Sequence, residues 1–215
     1  MNRSWIPEDI PALYGIRRNN EEGDMQTARE LFLHELSDML EAENKIVEVL
    51  AQQREESSNS ALRDAFKTHL KQTQGQVSRL QRSFELLDEE KGETVCAGIK
   101  GLREEHDRMK EEYPSKDILD LFNLAAAIKV ERYEISSYEA LIRLATMLGL
   151  PDILKLLKQN LKEEEQTLKK LTTLTAKVKP EILDLEDEES EMDESIRESK
   201  THLVKKSGSR KKRAA

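Results

Sequence analysis

Glu43, His69, Glu131, Glu134 and Glu164 are the residues whose types and spacing could do chemistry in this sequence. Glu43, His69, Glu131 and Glu164 fall on the apolar faces of segments with helical periodicity, and Glu134 lies on the same segment as Glu131. The first face is read as Phe32, Leu36, Met39, Glu43, Val47 and Leu50, and the second as Leu62, Ala65, His69, Gln72 or Thr73, Gln76 and Leu80. The third reads Leu121, Ala125, Ile128, Glu131, Ile135, Tyr138 and Ile142, and the fourth Leu154, Leu157, Leu161, Glu164, Leu168 and Leu171. Steps of three and four residues put these positions on one side of a helix. Near the middle of every face a carboxylate or an imidazole interrupts the apolar run. A buried ionised carboxylate without a partner costs several kcal/mol, so such a layer demands a compensating charge. Divalent metal ions supply one.

Carboxylate bundles that hold two iron or manganese ions take a Glu from each of two helices and a Glu-x-x-His pair from each of the other two. This sequence contains no Glu-x-x-His. It offers Glu43 on the first helix, His69 with Gln72 or Gln76 on the second, Glu131 and Glu134 on the third, and Glu164 on the fourth. The charges of Glu43, Glu131, Glu134 and Glu164 would be neutralised by two divalent cations. Oxygen-rich ligation with one imidazole suits iron or manganese, and the single Cys96 could not build a zinc ribbon. The ligands expected are therefore Glu43, Glu131, Glu134 and Glu164, with His69 and Gln72 as secondary or replacement ligands. Gln76 and Tyr138 are expected to hydrogen-bond and orient them. The same residues also describe a metal-free alternative, in which His69, Gln72, Thr73 and Gln76 form a polar network inside the core.

The elements that must position these groups can be delimited. Thr27 and Glu30 have capping-box spacing, and the helix they open continues to the Ser57-Ser58-Asn59-Ser60 cluster, roughly 40 Å of helix. A second helix runs from about Ser60 to Leu87. Beyond Gly92, residues 94–111 read as a shorter helix. Pro114 and Ser115 restart the chain, with Asp117 and Asp120 placed to favour the positive end of the next helix dipole. That helix reaches Leu148; Gly149 suits its left-handed end, and Pro151 the first turn of a fourth long helix reaching about Lys177. Two helical hairpins joined by a long connection give an all-α, ferritin-like four-helix bundle over residues 25–177, with a short extra helix in the crossover.

Composition agrees. Charged residues make up 36% of the chain and aromatic residues 4%, a balance that favours long helices over sheets. A net charge of -8 excludes non-specific nucleic-acid binding by the whole body. One cysteine permits no internal disulfide and fits a reducing cytoplasm. No segment approaches a signal peptide or the roughly 20 apolar residues of a membrane span, so a soluble protein without membrane attachment is expected. Residues 1–24, with Pro7 and Pro11, read as an irregular arm that Trp5, Ile6, Leu13 and Tyr14 could dock. Residues 178–215 turn acidic and then basic, ending in Arg210-Lys211-Lys212-Arg213, and read as a disordered charged tail.

Several short stretches, taken together, resemble the YciF/YciE-type ferritin-like stress proteins. They are Leu36-Ser37-Asp38 with Ala42-Glu43; Ala65-Phe66 with His69-Leu70 and Thr73; Gly75-Gln76-Val77 with Arg79-Leu80; and Cys96 with Gly101-Leu102. Val130-Glu131, Tyr133-Glu134-Ile135, Tyr138, Leu148-Gly149 and Leu161 with Glu163-Glu164 complete the set, which spans about residues 28–175 in order. The resemblance implies a ferritin-like bundle, a homodimer, a two-metal centre between the helices and an association with bacterial stress. Two positions depart from the family pattern: Gln72, where it commonly has Glu, and Arg132, where it commonly has His. A neutral amide is a weaker ligand than a carboxylate, so the second of the two ions would be held more weakly.

The functional expectation is a non-haem iron or manganese protein acting on peroxide or oxygen in stress protection, an oxidoreductase if the metals are bound. The alternative is a metal-free interaction protein. A third reading gives the basic C-terminal end a nucleic-acid contact. Truncating residues 210–213 would then abolish DNA retention at low salt, and unchanged retention would dispose of that reading.

Overall fold

A computed structural model describes residues 25–175. The arm read at 1–24 and the tail read at 178–215 lie outside the described residues. Among the described residues, five helices follow in order: α1 (Ala28–Glu56), α2 (Ser60–Leu87), α3 (Ala97–Glu111), α4 (Lys116–Met147) and α5 (Pro151–Thr175).

Local chemistry sets their ends. The Thr27 hydroxyl accepts from the Glu30 amide at 3.1 Å, and the Glu30 carboxylate accepts from the Thr27 amide at 2.8 Å, which completes the expected capping box. The Asn59 side chain accepts from the Ala61 and Leu62 amides at 2.9 and 3.2 Å and starts α2. The Ser115 hydroxyl accepts from the Ile118 amide at 3.4 Å. After α4 the chain turns at Gly149, whose φ of 68° only glycine adopts without strain, and the Leu150 amide donates back to the Ala145 carbonyl at 3.0 Å.

Asp120 does more than favour its own helix dipole. Its carboxylate accepts from the Ser58 amide at 3.0 Å and the Asn59 amide at 2.8 Å, so it ties the start of α4 to the α1–α2 turn. That contact makes α4 antiparallel to α1. The two hairpins, α1 with α2 and α4 with α5, pack with α2 against α5 and α1 against α4. Since α2 ends at the far end of the bundle from this turn, α3 must carry the chain back along its length. Arg103 pairs with Glu48 at 3.1 Å, and Lys110 pairs with Glu56, so α3 runs alongside α1 in the same direction. Its first turn lies close to α4. A Cβ on Gly98 would stand 2.5 Å from Cε2 of Tyr133, and the buried Cys96 thiol lies 3.0 Å from the Tyr133 hydroxyl.

The inward residues follow a stricter rhythm than first read. A continuous stripe runs through Phe32, Leu36, Met39, Glu43, Ile46, Leu50 and Gln53 on α1, beside the also buried Ser37, Leu40 and Ala42, and through Leu62, Phe66, His69, Thr73, Gln76, Leu80 and Ser83 on α2, beside Phe84. On α4 it comprises Leu124, Ala127, Glu131, Glu134, Tyr138, Leu141 and Ala145, and on α5 Ile153, Leu157, Asn160, Glu164, Thr167 and Leu171. Each set alternates steps of three and four without a break, the 3.5-residue repeat of helices that stay in register along a shared axis. Val47, Ile128, Ile135, Ile142, Leu154 and Leu161 therefore sit half-buried on the shoulders of the stripe, and Ala125 is exposed. Apolar character alone did not separate the stripe from its shoulders.

The apolar interior is divided. One cluster, with Phe32, Leu36, Leu80, Phe84, Leu141 and Leu157, fills the end of the bundle near the α4–α5 turn. The other, with Ile46, Leu50, Leu62, Phe66, Leu124 and Leu171, fills the end near the α1–α2 turn. The polar residues lie between them. Leu80 is fully buried in the first cluster, and Leu80→Ala should destabilise the fold by about 2–5 kcal/mol in urea unfolding. A loss under about 1 kcal/mol would mean that this end of the bundle collapses around the deletion.

Candidate metal centre

Glu131 and Glu134 project from adjacent turns of α4 into the middle of the bundle. His69 comes from α2 and Glu164 from α5. Each of these side chains offers one ligand-type atom, and all such atoms lie within 4.8 Å of one another. His69 is 2% exposed, and Glu43, Glu131, Glu134 and Glu164 are 0% exposed. His69 Nδ1 stands 3.1 Å from a Glu131 oxygen, and Nε2 stands 3.3 Å from a Glu164 oxygen. The approaches are close but not aligned as hydrogen bonds. Both nitrogens, both oxygens of Glu131 and of Glu134, and one oxygen each of Glu43 and Glu164 are buried without a hydrogen-bond partner. Buried polar atoms are ordinarily satisfied, so this concentration in one layer fits a donor set built for cations.

The remaining expected residues form a supporting frame. Gln76 donates from its amide nitrogen to Glu164. Tyr138 donates its hydroxyl to Glu43 on α1 and accepts from the Asn160 amide at 2.9 Å. Asn160 in turn accepts from Arg79, which also pairs with Glu163 on the outer side of α5. A continuous chain of hydrogen bonds thus runs from Glu43 to the surface. Gln72 is half-buried and lines a shallow depression with Lys71, Arg79 and Glu163, and Arg132 is exposed. Asn160 and Arg79 were not anticipated. Asn160 occupies an inward position of the three-and-four rhythm between Leu157 and Glu164, where the apolar Leu161 drew the first reading.

Electrostatics follow from burial. Desolvation first, then repulsion from Glu164, pushes Glu43 well above the ordinary carboxyl range, and the Tyr138 hydrogen bond opposes this only in part. Glu131 and Glu134 are pushed up by the same two effects, in the same order. For Glu164, burial is again the largest effect and acts upward, but His69, Glu131 and Gln76 together outweigh it and hold the group low. The Tyr138 phenol is raised by burial and by Glu43, so it keeps its proton and remains a donor.

These observations define a class: an all-helical bundle of ferritin-like fold with a buried His and Glu cluster between its helices. The family described as "Domain of unknown function (DUF892)" matches residues 27–183, and the chain belongs to that family. It is 39% identical over 152 residues to Protein YciF of Escherichia coli (strain K12), covering 70% of this chain and 92% of that one. The crystal structure of the E. coli stress protein YciF superposes with a TM-score of 0.69 at 37% identity, covering 72% of this chain and 98% of that one. YcfI from Rhodopseudomonas palustris matches with a TM-score of 0.69, 37% identity and the same coverage, 72% and 98%. A two-domain protein from Anabaena variabilis, containing DJ-1/ThiJ/PfpI-like and ferritin-like domains, matches at 16% identity with a TM-score of 0.50. This chain covers 37% of it, with 71% of its own length, and the likeness concerns the fold alone.

The raised carboxyls give a pH test. Glu43, Glu131 and Glu134 bind protons more tightly folded than unfolded, so their contribution to stability is full below the ordinary value near 4.5 and is lost as pH rises through their folded values. Glu164, held low, gives the opposite and smaller contribution. Metal-free protein should accordingly melt at a lower temperature at about pH 8 than at about pH 5.5 when followed by circular dichroism. A melting temperature that is flat or rises over this range would show that the buried layer carries no extra protons.

Proposed function

We propose that this protein is a ferritin-like non-haem metal protein that holds iron or manganese in the polar layer and serves in stress protection. One observation carries the reading: four buried ligand-type residues from three helices converge within 4.8 Å, with most of their ligand atoms unpartnered. Glu131, Glu134, Glu164 and His69 would hold the first ion. Glu43, charge-coupled to Glu134 and Glu164, would contribute to a second and weaker one, and the half-buried Gln72 would serve as a replacement ligand. The stress assignment rests on the E. coli relative, which is called a stress protein. A cytoplasmic homodimer, with a bundle at 25–177 flanked by an arm and a charged tail, belongs to the same proposal.

The chain's own groups have definable tasks. Gln76 orients Glu164, and Tyr138, steadied by Asn160, orients Glu43. His69 can turn one bare nitrogen to a metal while the other donates to a carboxylate, and it has a carboxylate oxygen near each nitrogen. Cations entering the layer would displace the protons that burial keeps on Glu43, Glu131 and Glu134, so affinity should fall as pH falls. When bound, iron or manganese would supply the redox capacity for oxygen or peroxide chemistry.

A metal-free reading is favoured by one specific observation. The two nitrogens of His69 lie 3.1 and 3.3 Å from Glu131 and Glu164, so the imidazole itself sits between the two carboxylates. Elemental analysis of protein purified without added metal or chelator separates the readings. The wild type should carry about two divalent ions per chain, or about one where the second site is weak. Glu134→Gln should lose most of that content and Glu43→Ala part of it, while both keep the helical circular dichroism of the wild type. Metal content that is negligible in the wild type, or the same in all three, would leave the bridged-histidine network as the better account.

A further inference from the structure

Between α1, α3 and α4 the bundle is imperfectly filled. Ile46 and Leu50 of α1, Ile99 and Leu102 of α3, and Phe122 and Val130 of α4 wall a narrow cavity of about 30 Å³. Its inner end is formed by His69 and Glu131, and its outer end by Arg103, Glu105 and Lys129. Lys129 pairs with Glu105 across α3 and α4 at that outer end, and Arg103 pairs with Glu48. Native interiors are packed to near-crystalline density, and an open space forfeits the dispersion contacts of every wall atom. Here the space ends on atoms that themselves lack partners, since both His69 nitrogens and both Glu131 oxygens are buried and unsatisfied.

We propose that this cavity is the route and holding site by which dioxygen reaches the polar layer. The inference rests on the proposed metal centre. Size and wall chemistry select the occupant. A space of this volume takes one or two small molecules. Its aliphatic and aromatic wall penalises ions, which would be stripped of water without compensation. Between the two ends only Gln53 and His106 offer side-chain partners for the hydroxyl groups of peroxide, the other lining side chains being apolar, whereas dioxygen needs none. The α3 helix is the roof, so the crossover segment shapes the passage.

Xenon is the probe, because it occupies dry apolar cavities and needs no metal. Methyl-labelled full-length protein under xenon pressure should show saturable shifts at Ile46, Leu50, Ile99, Leu102 and Val130. Ala126→Phe, which places a ring in the cavity from α4, should lose them, and Val130→Ala, which enlarges the space, should strengthen them. In ferrous-loaded protein, Ala126→Phe should slow oxidation by dioxygen several-fold while leaving oxidation by added peroxide and the metal content unchanged. Xenon shifts elsewhere in the bundle, or shifts that Ala126→Phe does not move while Val130→Ala does not strengthen them, would overturn the cavity. Equal slowing with both oxidants would overturn the assignment to dioxygen. Metal content is measured separately, so an empty centre with intact xenon binding would refute the metal reading and leave the gas pocket standing.

Discussion

The arrangement turns on the cost of placing Glu131, Glu134 and Glu164 out of water around one imidazole, with Glu43 buried as well. Four carboxylates that are fully buried cannot all be ionised there without added positive charge, and the raised values of Glu43, Glu131 and Glu134 express that constraint. The rest of the bundle is arranged to bear it. Apolar clusters lie on either side of the polar layer, and each must supply enough burial to hold the helices together across a middle that contributes little of its own. Among the described residues, the layer is isolated at both ends by apolar packing.

Rigidity around the layer comes from neutral hydrogen-bonding groups. Gln76 fixes Glu164, Tyr138 fixes Glu43, and Asn160 links Tyr138 to Arg79. This chain joins α1, α4, α5 and α2 in one network, so the positions of the carboxylates are set jointly by four helices. Such a frame holds charged groups at fixed separations even where their mutual repulsion would push them apart. The crossover adds a second constraint. Because α4 is tied antiparallel to α1 by Asp120, the chain must return along the bundle, and α3 does so by packing on α1 and α4.

Membership of the DUF892 family and the likeness to YciF place the chain in a group with a shared helical fold. A ferritin-like fold hosts storage, redox and purely structural roles, so the fold by itself does not select among them. The site does more of that work. Buried oxygens and nitrogens without hydrogen-bond partners, braced by amides and a phenol, form a donor set that a cation would satisfy.

Much of this was legible in the amino-acid order. The capping box at Thr27, the glycine turn at Gly149 and the three-and-four spacing gave the helices and their ends, because capping and periodicity are local effects within a few residues of chain. The types of Glu43, His69, Glu131, Glu134 and Glu164 marked the polar layer, since a charged group on an apolar face is conspicuous in one dimension. The tertiary structure decided what depends on several helices at once. It moved the stripe of α1 from Val47 to Ile46 and those of α4 and α5 from Ile128 and Leu161 to Ala127 and Asn160. It also turned Asp120 from a dipole group into a tie between hairpins, left Gln72 half-buried beside a surface depression, and opened the space beneath α3. Helical rotation is chosen by the fit of neighbouring helices, and a difference of one residue shifts a side chain by about 100° around the axis. Where apolar residues occupy both the stripe and its shoulders, only packing against the other three helices tells them apart.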